Sequence, residues 1–309
     1  MNNHIIGKLL FTLPVANELG EGVQWHHHRQ EIWWTDIEGC CLYQYQTKTQ
    51  ELKSFNTPYR IGCFAFIEDT EQHNNLTKNT LIVAFEQGIA FYDYLTSKVN
   101  WIAIPESHLN GHRFNDGRVD KEGRFWAGTM IENNAISTEH AALYMIDNHG
   151  HCQKKIDDLL ISNGVCWQPS GNFMYHADSP KNEIYRYDFS LSGTLSNKAL
   201  FVKTPKLNSP DGATVDADNK LWSAHWGGAQ VVRYDHLGNI DVSFDLPVSQ
   251  PTCVCIGGPD LDWLIVTSAK TSLTAEQLKN EPLAGHVFVY QLHGVKGVLE
   301  NQFNYCPQS

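Results

Sequence analysis

Oxygen-bearing side chains return at one register along this 309-residue chain. Asn115, Asn163 and Asp211 follow one another at intervals of 48 residues, in "RFNDGRVD", "ISNGVCW" and "SPDGATVD". Glu21, in "LGEGVQW", holds the same place in a looser copy. Taken singly, Asn-Gly and Asp-Gly are turn formers. Glutamate is not a turn residue of choice, so its presence on the register asks for another reason. If the fold brings the register positions together, two carboxylates and two amides meet at one centre, and the carboxylates repel unless a positive charge lies between them. A divalent cation meets that need. Oxygen donors suit Ca²⁺, Mg²⁺ or Mn²⁺, and a site left open to water also accepts Zn²⁺.

The elements that carry these residues repeat with them. Four positions beyond the register residue stands a large apolar side chain (Val119, Trp167, Val215, and Trp25 in the first copy). Ten positions beyond begins a second apolar stretch (Phe125, Phe173, Leu221), which in the first copy, one residue longer, holds Ile32 and Trp33. A third stretch follows in each copy, as in "CLYQYQ", "ALYMID" and "EIYRYD". "IGCFAF…LIVAFEQGIAFYDY", with a polar insert at Glu71 to Asn79, and "PTCVCIGGPDLDWLIVTSAK…AGHVFVYQL" supply two further copies, making six. Periodicity near two and the abundance of aromatic and β-branched residues predict strands. Repeats of this length, each holding three or four short strands, predict an all-β, six-bladed β-propeller spanning residues 1–309 as one domain. "KLLFTLP" is expected to add the outer strand of the last blade, and "TAEQLKN" from Thr274 to form a short capped helix. The first strand of every blade then lines the central channel, where Glu21, Asn115, Asn163 and Asp211 converge at one depth.

A net charge of −11 and a pI near 5.7 weigh against nucleic acid and anionic lipid as partners. No apolar run has the roughly 18 residues of a membrane span. "LLFTLPVA" is too short, and with Lys8 alone before it too weakly charged, for a secretion signal, so the expected location is cytoplasmic. The eight cysteines show neither CxxC nor zinc spacing and read as reduced, buried thiols. Nothing in the pattern chooses between monomer and homodimer.

In combination and order, "LGEG…W", "RFNDGRVD.EGRFWAGTM", "ISNGV.W", "PDGATVDADNKLW" and "LAGHVFVY" resemble the SMP-30/gluconolactonase/regucalcin family nearly from end to end. The resemblance implies a six-bladed propeller with one divalent metal ion in the channel and hydrolysis of a sugar lactone, such as xylono-, arabinono-, glucono- or galactonolactone. It maps the metal ligands onto Glu21, Asn163 and Asp211 and substrate-hydroxyl contacts onto Arg113 and Asn115. A further substrate contact falls on Glu132 or Asn133 in "GTMIENN". The chain departs from the family's "GESPVW" in reading "GEGVQW", which predicts a local backbone change. Asp211, a ligand with a second oxygen to spare, is the expected general base.

Other signals read more plainly. "WHHHRQ" from Trp25 is expected to be a solvated hairpin turn, because adjacent histidines on a strand point to opposite faces. Cys253 and Cys255 read as packing, and His225 and Trp226 as a weak channel-mouth candidate. There is no G-x-S-x-G elbow and no phosphate loop. Two alternatives remain: a propeller esterase or organophosphate hydrolase with the same metal, and a calcium-binding scaffold without catalysis. Arg113 separates them from a lactonase, since neither an apolar pocket nor a structural ion needs a cationic side chain beside it.

Overall fold

Each copy of the repeat folds as an antiparallel four-stranded sheet, and six such sheets make up the computed structural model, which describes residues 5–68, 76–132 and 139–307. The strands Gly20–His26, Ile61–Phe66, His112–Val119, Ser162–Trp167, Ser209–Val215 and Pro251–Gly257 are the first of blades one to six. In blade six the fourth strand is Ile6–Leu13 from the start of the chain. It lies antiparallel to Val287–Leu292, with Leu13 opposite Val287 and Phe11 opposite Val289. The ring is thus closed by sheet hydrogen bonds, which leaves no blade with an uncovered face.

Burial falls from the axis outward, as alternation in the sequence demands. Every residue of Gly20–His26 is buried, whereas the outer strand Glu51–Asn56 is almost wholly exposed. Apolar packing lies between blades. Trp126 of blade three meets Trp167 and Phe189 of blade four, each with ring centroids 5.7 Å apart. Trp33 of blade one meets Phe66 of blade two at 5.8 Å. Tilted and edge-on pairs of this kind contribute about 0.5–1.5 kcal/mol beyond their burial.

A polar lock recurs behind this packing. Asp120 accepts from the Trp126 indole at 2.8 Å and from Arg124 Nε at 2.7 Å. In blade five Asp216 accepts from the Trp222 indole at 2.9 Å and from Arg233 Nε at 2.8 Å. The short helix is Ala275–Asn280, where Thr274 and Gln277 form a reciprocal capping box. Among the described residues no helix is long and apolar enough to cross a membrane.

Three expectations need amendment. Of "WHHHRQ" only His27 to Gln30 form the turn; His26 ends a strand, buried with its ring 4.5 Å from Phe66. His225 does not face the channel mouth but is buried, bonded to the Tyr234 hydroxyl at 3.1 Å. Among the described residues no cysteine is in a disulfide, yet Cys306 is exposed and Cys40 and Cys152 are only partly buried. Of the polar insert, residues 71–75 lie outside the described residues.

Candidate functional site

The four register residues are where the ring places them, one on each first strand of blades one, three, four and five, and all are buried. A local irregularity accompanies each. Strand pairing slips between Glu21 and Gln24, between Phe114 and Gly117, between Asn163 and Cys166, and between Pro210 and Ala213. Such bulges bend the strand and re-aim side chains. Gly22 and Gly164 take positive φ values of 59° and 62° in these bulges. At Gly164 a Cβ would sit 3.1 Å from the Asp211 carbonyl oxygen, so glycine lets the first strands of blades four and five approach. The change from the family's "GESPVW" thus falls on a bulge.

The amides form a chain. Asn115 Nδ2 donates to Asn163 Oδ1 at 2.8 Å and to the Ser162 carbonyl at 3.1 Å. Asn163 Nδ2 donates to Ser179 Oγ at 2.8 Å, and Ser179 in turn to the carbonyl of Pro210, beside Asp211. Arg113 Nη1 donates to Asn115 Oδ1 at 2.8 Å and to the Phe114 carbonyl, while its Nε donates to Glu132 Oε1 at 3.0 Å. Glu132 also takes a two-pronged hydrogen bond from Arg60, at 2.8 and 2.9 Å. Arg60 continues outward to Glu86 and Glu38. A single polar line therefore runs from the channel centre to its rim, and Glu132 stands within it as the anchor of Arg113. Asn133 lies outside the described residues.

The carboxylates behave differently. Burial, then the charge of Asp116, pushes Glu21 up to about 8 against the Gly22 N–H and Arg113. Burial, then Glu21 and Asp116, raises Asp211 well above the carboxylate range. Neither forms an ion pair among the described residues. Asp116, a third acid that register reasoning missed, is raised by burial and held down by Arg118 and by the N–H groups of Gly117, Val165 and Gly164. The doublet of two polar residues before Gly117 was its only sign in the sequence.

Does this set fit a cation? Among the described residues no three His, Cys, Asp or Glu side chains gather tightly enough to hold a metal by themselves. The fitting set is mixed: the Glu21 and Asp211 carboxylates with the Asn163 amide oxygen, which keeps a second lone pair beyond the Asn115 bond. Buried like charges without a counter-ion are costly, and a hard divalent ion with oxygen donors removes that cost.

Comparison with known proteins shows what the chain is similar to. The family model described as "SMP-30/Gluconolactonase/LRE-like region" matches residues 19–270, a span that holds all four register positions. The chain is 31% identical over 287 residues to a 6-deoxy-6-sulfogluconolactonase of Pseudomonas putida, covering 92% of this chain and 94% of that protein. It is 31% identical over 290 residues to an L-arabinolactonase of Azospirillum brasilense, covering 93% of each. Among solved structures it resembles regucalcin of Agrobacterium tumefaciens, described as a calcium-binding protein, with a TM-score of 0.86, 28% identity and 97% of each chain covered.

Proposed function

The chain belongs to the SMP-30/gluconolactonase/LRE-like family, and from that premise we propose that it hydrolyses a sugar lactone to the free aldonic acid, with one divalent cation held by Glu21, Asn163 and Asp211. The observation that carries this reading is the pair of buried carboxylates, Glu21 and Asp211, which form no ion pair among the described residues and are both raised by burial and by the charge of Asp116, Asp211 also by Glu21, near the Arg113 guanidinium. The lactonases among its relatives supply the reaction class.

Bound at this set, a divalent cation supplies Lewis acidity toward a carbonyl oxygen and a lowered pKa for a water. Everything else falls to the chain. Asp211 would take the proton of the attacking water and return it to the ring oxygen as the acyl C–O bond breaks. Arg113 has two of its three nitrogens fixed, Nε by Glu132 and Nη1 by Asn115 and Phe114, so Nη2 is left to donate to a sugar hydroxyl. Locking the guanidinium before substrate arrives keeps the ordering cost of that contact low. Asn115 orients Asn163 through its Nδ2 and offers the second lone pair of Oδ1 to substrate. Glu132 acts first on Arg113; a direct bond from it to substrate is compatible with its half-buried place near the rim.

The test is to strip the protein with chelator, restore Ca²⁺, Mg²⁺, Mn²⁺ or Zn²⁺ separately, and follow acid release from a panel of aldono-1,4- and 1,5-lactones. Metal-dependent turnover of a panel member is the expected result. Stoichiometric metal binding without turnover of any lactone would favour the non-catalytic calcium-binding reading.

A further inference from the structure

Below the register residues the channel is not open. Arg118, on the first strand of blade three, sends Nη2 to the carbonyl of Val254 at 3.5 Å. Val254 belongs to the first strand of blade six, opposite blade three in a six-membered ring, so the guanidinium spans the bore. From beneath, Glu300 pairs with Arg118 Nη1 at 2.6 Å.

Glu300 is held there by a C-terminal strap that follows the last blade strand and belongs to no repeat. Its Lys296 carbonyl accepts from Ala217 N at 2.9 Å in blade five, and Asn301 Nδ2 donates to the Val119 carbonyl at 3.1 Å in blade three. Phe303, fully buried, exchanges backbone bonds with Phe66 and Glu68 of blade two. The strap therefore crosses the far end of the channel, tied on both sides. A cavity of about 260 Å³ remains beside it, lined by Arg118, Trp167, Thr214 and Glu300 among others.

This floor is ionic where packing alone would close it with apolar side chains. Arg118 lies two residues along the strand from Asp116, whereas Glu300 approaches from the side away from the register residues. We propose that Arg118 is a positioning residue of the channel site: steadied by Glu300, its charge at the floor sets how tightly Glu21, Asn163 and Asp211 hold a divalent cation. The proposal rests on the reading that these three do hold one.

Opposite signs from two variants test it. Glu300→Gln leaves the Arg118 charge without its ion-pair partner and is expected to weaken Ca²⁺ binding about threefold or more, whereas Arg118→Met with Glu300→Gln removes the nearer cation and is expected to bind about threefold or more tighter than wild type. Titration calorimetry with Ca²⁺ on the full chain reads both. A merely structural floor would weaken both variants alike, and that result, or affinities equal to wild type, overturns the proposal. Should Glu300→Gln not fold, the double variant, which strands neither member of the Arg118–Glu300 pair, decides alone: unchanged or weaker binding overturns it. Wild type binding none of Ca²⁺, Mg²⁺, Mn²⁺ or Zn²⁺ would instead overturn the metal reading itself, and this inference with it.

Discussion

Two pairs of buried acids in this propeller have opposite fates. Asp120 and Asp216, behind the blade packing, have no solvent exposure, and each receives an arginine and an indole N–H. Glu21 and Asp211, on the channel, are nearly as buried but form no ion pair among the described residues, and burial and neighbouring acids raise both, Asp116 acting on each and Glu21 on Asp211. All four are buried carboxylates, and pairing divides them. A carboxylate paired within its own fold is a structural part; one buried without a cation partner marks a candidate functional site.

Substitutions should break this contrast in opposite ways. The largest effect is expected from Asp211→Asn: a loss of roughly 10²- to 10⁴-fold in lactone turnover with the unfolding temperature of the cation-free protein unchanged or higher, since one buried like charge has gone. Steady-state kinetics and a thermal scan together check it, and retention of more than a few per cent of activity with metal bound would remove Asp211 as the base. Asp216→Asn should do the reverse. It takes the charged acceptor from Arg233 Nε and the Trp222 indole while Asp241 still pairs with Arg233 Nη1 at 3.0 Å, and denaturant unfolding should show about 1 to 3 kcal/mol of lost stability, with kcat per folded molecule preserved.

Glu132→Gln tests the line between these extremes. It loosens Arg113 without touching a ligand, so KM for a polyol lactone should rise about tenfold, near 1.4 kcal/mol, with kcat little changed. A drop in kcat at constant KM would place Glu132 in the chemistry itself.

The smallest and broadest effect concerns pH. Burial lowers His176 from 6.5 to about 3 and His225 from 6.5 to about 4, so both stay neutral in the fold. Below pH 6.5 the unfolded chain binds protons that the folded one refuses; their contribution is complete above that pH and is lost as pH falls toward 4. Because the raised Glu21 and Asp211 act in the opposite sense over the same range, the measurement is a difference: between pH 7 and 4.5 the denaturant midpoint of His176→Phe should fall less, or rise more, than that of wild type.

Much of this architecture was legible in the sequence because a propeller writes its geometry as a period. The intervals from Asn115 to Asn163 to Asp211 gave the strands, the ring and the convergence at once, and "KLLFTLP" its closing place. What escaped was whatever breaks the period. Asp116 follows a register residue, so strict strand alternation sends it to the opposite face; the bulge between Phe114 and Gly117 is what frees it from that rule. Glu132 was legible only as one of two candidate substrate contacts, with Asn133, and its pairing with Arg60 depends on blades one repeat apart meeting at the rim. Glu300 stands in a segment with no repeat partner, and no register could relate it to Arg118.

The most direct test of the central claim is the unfolding temperature of wild type and of Asp211→Asn, each with chelator and with saturating Ca²⁺. If the channel carboxylates await a cation, Ca²⁺ raises the wild-type transition by linkage to the folded state and raises that of Asp211→Asn far less. An equal rise in both proteins, or none in wild type with any of the four ions, would contradict the account.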